Sequence, residues 1–315
     1  MTGTRSRIRR MAPALIAVST GALVAVQSRG NGELSRHVGT GLFPAWLTMV
    51  SGAALIVLVV CLHAPSRKGM VLARSAVSAG ALPRIALIGG IFGSMFLVTQ
   101  SVTVPIIGVA VFSVGAVAGQ TTGSLAVDRL GIGAAGRRAI TWQRVVASIL
   151  AVAAVAIGIS DRLQSAPGAI VFAAFAFLAG VFIAPQQALN GRVAVSARSP
   201  FVAALVNFVG GAIAMTLVIG VALAIVGVTV HDPLGAPWWA YLGGVLGVTV
   251  IAGAAAVVPI LGVLVFSLIS VFGQLAGALM LDIVAPTPGT NVGWHLLAGL
   301  VLTFAAIVMA GYRRS

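Results

Sequence analysis

Ten stretches of this 315-residue chain are long and apolar enough to cross a lipid bilayer, and they constrain the fold more than any other feature. A spanning helix needs about 20 mostly apolar residues to cover roughly 30 Å of hydrocarbon. The windows are 11–31, 42–62, 84–101, 104–127, 143–160, 168–190, 201–227, 239–257, 259–281 and 294–311. Charged residues make up only 8% of the chain and hydrophobic residues 59%. A water-soluble domain carries about 25% charge, so this chain cannot clothe a globule in polar side chains. Its apolar surface faces lipid. The predicted class is an all-α integral membrane protein, multi-pass, with the bilayer as its first partner.

The shortest gaps between windows fall near Val104 and Val258, where Pro105 and Pro259 stand. Proline in the first turn of a helix forfeits no hydrogen bond, so each proline is read as starting a new helix. The run Ala12–Val26 follows Arg5, Arg7, Arg9 and Arg10, which is the layout of a signal peptide. The repeat described below gives this run a partner in mid-chain. It is therefore read as a retained membrane helix.

The net charge of +14 sits in short basic clusters between apolar runs, the pattern of loops held at one membrane face. Aromatic residues interleaved for base stacking are absent, which argues against a nucleic-acid partner. With the N-terminus inside, sixteen Lys and Arg residues fall in inside segments. Only Arg29, Arg36 and Arg162 fall outside. That bias supports ten spans with both termini inside.

The chain also repeats itself. Pro105–Asp128 and Pro259–Asp282 are identical at thirteen of twenty-four positions without a gap. At the same spacing Gly89, Gly90 and Gly93 match Gly243, Gly244 and Gly247. Gln27 and Asn31 match Gln186 and Asn190, and Gly52 matches Gly211, at a spacing five residues longer. Two units follow, residues 1–164 and 165–315. Each holds five spans, an odd number, so the second unit enters the membrane from the opposite side. Inverted repeats of this kind are a common construction of secondary transporters.

Inside the spans the polar residues are neutral. Gln27 and Asn31 share a helix face, as do Gln186 and Asn190. Ser113 and Gln120 share another, as do Ser267 and Gln274. Amides in lipid need partners and point into the bundle. These eight residues are candidates for a solute path; the alternative is helix-packing glue, worth ~0.6 kcal/mol each on average. Their predicted depths form one polar layer near each face, with Gln27, Asn31 and Gln274 outside and Gln120, Gln186 and Asn190 inside. Gly89, Gly93, Gly115, Gly119, Gly123, Gly243, Gly247, Gly273 and Gly277 are read as sites of close helix packing. Pro185, beside Gln186, is expected to kink its helix.

The five acids, Glu33, Asp128, Asp161, Asp232 and Asp282, fall at helix ends or in loops. Asp128 is expected in a loop salt bridge with a neighbouring arginine. Cys61 is alone and the four histidines lack metal-ligand spacing, so neither a metal nor another cofactor is expected. No intramembrane acid–base pair or nucleophile points to an enzyme. A channel would want a charged ring or carbonyl filter, and neither is visible.

The motifs carry a family resemblance. They are Q-x-x-x-N-G at Gln27–Gly32 and Gln186–Gly191, G-Q-x-x-G-x-L-x-x-D at Gly119–Asp128 and Gly273–Asp282, and D-R-L-G at Asp128–Gly131. The chain resembles the YdcZ-type branch of the drug/metabolite transporter superfamily along essentially its whole length. The resemblance implies a bacterial inner-membrane exporter of small metabolites or drug-like solutes. It also implies alternating access around a cavity lined by the first, third, fourth, sixth, eighth and ninth spans. An already fused pair of units can work as a monomer. The competing reading is a membrane scaffold or sensor that moves no solute.

Overall fold

The computed structural model describes residues 2–137 and 169–284, with isolated positions between 139 and 157 and between 294 and 305. Eight α-helices are described: α1 (Thr2–Val38), α2 (Leu42–Leu62), α3 (Ala64–Ser78), α4 (Gly89–Leu130), α5 (Ala169–Ala197), α6 (Pro200–Val221), α7 (Gly243–Leu261) and α8 (Val263–Val284). Six apolar stretches among them are long enough to cross a membrane: Met11–Val38, Leu42–Leu62, Arg84–Val104, Pro200–Val226, Trp238–Leu261 and Val263–Leu281. They overlap six of the ten predicted windows. Windows 104–127 and 168–190 lie within α4 and α5, while 143–160 and 294–311 fall largely outside the described residues.

The predicted break near Val104 is not a break in helical hydrogen bonding, since α4 runs helical through it. The chain nevertheless reverses there. The rings of Phe96 and Phe112 lie 5.5 Å apart, whereas sixteen residues of straight helix would separate them by about 24 Å. Both ends of the run also abut α5: Gly89 lies against Asn190, and Gly133, just past the other end, against Ala188. The turn of the U lies beside the far end of α1, where Gly32 faces Val104. Two antiparallel arms therefore share one helical run.

The predicted break at Pro259 moves three residues on. Pro259 is inside α7, and the helix ends at Gly262, whose φ of 81° and ψ of 162° suit glycine alone. Proline only omits a donor there; glycine lets the chain change direction. A second correction concerns residues 63–83, read from sequence as a basic loop. Residues Ala64–Ser78 form α3, with Pro65 in its first turn and Ser66, Gly69 and Ala73 buried. Arg67, Lys68 and Arg74 hid this short helix by dominating its composition.

Matching entries lead into α4 and α7. Pro83 (φ −61°, ψ 138°) precedes a 3₁₀ turn, Arg84–Ile88, and Pro237 (φ −57°, ψ 141°) precedes another, Trp238–Leu242. The same cause acts twice: proline fixes an extended residue and a pair of glycines begins the helix.

In packing, α4 lies along α5, α1 along α8, and α2 against α6. Exposed faces are apolar, as at Ile213, Leu217 and Val221 on α6. The interior holds large apolar side chains such as Phe112, Phe208 and Phe266, but also many amides and hydroxyls. Apolar outside and partly polar inside is the arrangement a bilayer selects.

Candidate functional site

All eight predicted path residues are buried: Gln27, Asn31, Ser113, Gln120, Gln186, Asn190, Ser267 and Gln274. Their partners come mainly from elsewhere in the chain. Gln120 Nε2 on α4 donates to Ser267 Oγ on α8 at 3.3 Å. Reciprocally, Gln274 Nε2 on α8 donates to Ser113 Oγ on α4 at 3.1 Å. Each glutamine thus reaches the serine that matches the one on its own helix. Ser267 Oγ in turn donates to Gln187 Oε1 at 3.2 Å.

Glycines make these approaches possible. A Cβ on Gly119 would collide with the carbonyl oxygen of Phe177, and one on Gly273 with that of Val18. Phe177 and Val18 occupy matching positions in the two units. Gly93 faces Gln186 and Gly247 faces Gln27, again in matching register. Small residues at such points let helix backbones come close.

Two polar layers flank these contacts. In the first, Gln27 Nε2 donates to the Gly243 carbonyl at 2.9 Å and Thr48 Oγ1 to Asn31 Oδ1 at 3.1 Å. Asn31 Nδ2 donates to Gln100 Oε1 at 3.2 Å, and Gln100 Nε2 to Ser28 Oγ at 2.5 Å. Ser28 Oγ donates to the Val24 carbonyl at 2.8 Å. In the second layer Gln186 Nε2 and Asn190 Nδ2 both donate to Asn207 Oδ1, at 2.9 and 3.0 Å. Asn190 Oδ1 and Asn207 Nδ2 are buried without a partner.

Between the layers lies a cavity of about 70 Å³. Sixteen of its twenty lining residues form eight matched pairs: Val24/Ile183, Gln27/Gln186, Met49/Phe208, Gly93/Gly247, Phe96/Val250, Leu97/Ile251, Ala116/Ser270 and Gln120/Gln274. Gln187, Asn207, Ala254 and Phe266 line it without their mates. Those mates are Ser28, Thr48, Gln100 and Phe112, of which the first three belong to the fully bonded layer. The cavity therefore extends toward the Asn190 layer. None of the described lining residues is charged.

Sequence reasoning missed Thr48, Gln100, Gln187 and Asn207. A search for polar residues that recur in both units passes over those that differ between them. The signal that would have found them is simpler: any amide inside an apolar window needs a partner.

Asp128 stands in the last turn of α4. It is 2% exposed, and its carboxylate accepts from the Val263 and Leu264 backbone N–H groups at 3.3 and 3.4 Å. It caps the start of α8, where a negative charge is favoured. The side chain of Asp282 and the whole of Asp161 lie outside the described residues. Pro185 lies inside α5. Among the described residues no group of His, Cys, Asp and Glu is placed to hold a metal ion.

A multi-pass helical bundle with apolar flanks and amides and hydroxyls in its interior is the architecture of an integral membrane protein. The chain belongs to the YdcZ family of the drug/metabolite transporter superfamily. The family model, described as "Putative inner membrane exporter, YdcZ", matches residues 12–157 and 171–309. The protein is accordingly a multi-pass protein of the inner membrane. No curated protein sequence matches the chain. A crystal structure described only as that of a protein is similar in fold, with a TM-score of 0.64 and 15% identity, covering 96% of each chain.

Proposed function

We propose that this protein exports small neutral or zwitterionic solutes by alternating access, as two inverted five-helix units of residues 1–164 and 165–315 with both termini inside. One observation carries the reading: matched residues of the two units line one cavity. Two like units in opposite orientation have two near-equivalent ways to pack, one open to each side. In this reading the Asn31 layer lies toward the outside and the Asn190 layer toward the cytoplasm. The first is bonded shut and the second is loose, which corresponds to a carrier awaiting solute from inside. Gln120 and Gln274 sit where solute would pass.

The test compares solutes released by cells expressing the parent, a Gln120→Ala/Gln274→Ala variant at equal membrane abundance, and an empty vector. Solutes that accumulate outside only with the parent support export. Media identical for all three across several nutrient conditions would favour the scaffold or sensor reading instead.

A further inference from the structure

We infer that the cavity seats the protonated primary amine of a zwitterionic solute, with the side-chain oxygens of Gln27, Gln120, Gln186 and Gln274 as its acceptors. This inference rests on the export reading and adds which end of the solute is held.

The starting point is what these four glutamines leave unused. Each spends its Nε2 on the protein: Gln27 on the Gly243 carbonyl, Gln120 on Ser267, Gln186 on Asn207 and Gln274 on Ser113. None of their Oε1 atoms accepts a hydrogen bond from a described residue. The buried side-chain polar atoms without a partner among the described residues are Ser101 Oγ, Thr121 Oγ1, Asn190 Oδ1 and Asn207 Nδ2, and no glutamine oxygen is among them. The four oxygens are therefore open rather than buried. Their residues are at most 7% exposed and all line the cavity, so the cavity is the space they open into.

The partners set which way each amide points. The Gly243 carbonyl can only accept, which turns the nitrogen of Gln27 toward it. That nitrogen lies against Gly247, and the nitrogen of Gln186 lies against the matching Gly93. Ser267 spends its proton on Gln187 Oε1 and so accepts from Gln120. Held by its nitrogen, each amide presents its oxygen in advance and needs little further ordering when a solute arrives.

The balance of free groups names the ligand. Against four carbonyl oxygens the lining sets one free amide nitrogen, that of Gln187, whose oxygen is taken by Ser267. Asn207 Nδ2 is unpaired but buried, and the Ser270 hydroxyl serves either way. A primary ammonium is the complement, since it carries three N–H donors and no acceptor. Its charge suits the partial negative charge of carbonyl oxygens and the rings of Phe96, Phe208 and Phe266. No lysine or arginine in the described lining repels it. The described lining also holds no counter-charge, which a bare cation would lack and a zwitterion brings with it. A carboxylate would meet the same oxygens as like charge, so that end of the solute points to the mouth and its water.

The experiment uses the full chain in nanodiscs of zwitterionic lipid, with empty nanodiscs as the blank, and three probes: glycine, propionate and trimethylglycine. Propionate has the shape of glycine with a methyl group in place of the ammonium. Trimethylglycine keeps both charges and removes every N–H. Binding is measured by ligand-observed NMR with the parent, Gln120→Met and Gln274→Met, which delete one oxygen each at nearly constant volume. The expected result is glycine binding to the parent at least tenfold tighter than either other probe, and at least tenfold weaker to each variant, with propionate changed by less than about twofold. Thermal melting without ligand checks that each variant is folded. If one is not, the other decides, and the ranking of probes by the parent decides without either. Equal affinity for glycine and propionate overturns the inference, as does equal affinity for glycine and trimethylglycine. So does unchanged glycine binding in a folded variant, or no glycine binding to folded parent. Solute release from expressing cells is scored separately. Release without this ranking removes only the amine seat, whereas the ranking without release removes the export reading.

Discussion

The two units of this molecule share contacts in their arms and differ in their polar layers. Where α1 meets α8 and α4 meets α5, matched glycines approach matched carbonyls, and Gln120 and Gln274 make reciprocal bonds to Ser267 and Ser113. At the layers the match fails. The Asn31 layer is closed by Thr48, Gln100 and Ser28, while the Asn190 layer leaves two amide atoms unmatched. Duplication supplies the scaffold, and divergence at a few positions supplies a difference between its two ends. Those differing positions are where selectivity can be encoded without disturbing the packing common to both units.

The sharpest way to break this comparison is at the shared contacts. Gly119→Leu and Gly273→Leu should each abolish folded protein, and to the same degree, because each faces a backbone carbonyl that cannot give way. Size-exclusion profiles in detergent would read this; a monodisperse Gly119→Leu protein would show that the close approach is dispensable. Next in size is Gly262→Ala, which forces a side chain into a backbone region nearly reserved for glycine, at a cost of about 1–3 kcal/mol. Thermal melting should therefore fall clearly for Gly262→Ala; an unchanged melting temperature would show that the turn does not depend on glycine.

Gln100→Ala tests the closed layer itself. It strands Asn31 Nδ2 and removes the donor to Ser28, with an expected loss of about 1–3 kcal/mol. It should also raise the reactivity of a cysteine placed at position 24, on the cavity wall, toward a membrane-impermeant thiol reagent, in a Cys61→Ser background. Unchanged reactivity would mean that Gln100 does not hold this layer shut. Asp128→Asn tests the cap. The amide keeps one acceptor for the α8 N–H groups but loses a buried charge, at a cost of up to about 2 kcal/mol. A lowered melting temperature is expected; no shift would assign the capping to geometry alone.

Much of this architecture is legible in the sequence because lipid imposes a coarse code. Twenty apolar residues mark a helix, and the glycines and amides that recur at Gln27 and Gln186 mark a repeated unit. The break at Gly262 was misplaced to Pro259 because proline is a common start signal, whereas the backbone turn depends on which residue tolerates a positive φ. Helix α3 escaped because fifteen residues with three cations read as a loop by composition. Asn207 and Gln100 escaped for a different reason. Each recurs as something else in the other unit, so only their placement against Asn190 and Asn31 reveals what they do.

The absence of charge among the described cavity residues reaches beyond solute choice. A membrane potential acts on a protein only through charges that move across it, about 2.3 kcal/mol per elementary charge per 100 mV. A carrier whose binding cavity holds amides, hydroxyls and phenyl rings moves no formal charge from that lining when it reorients empty. In the proposed cycle the described lining therefore adds no charge of its own to the return step.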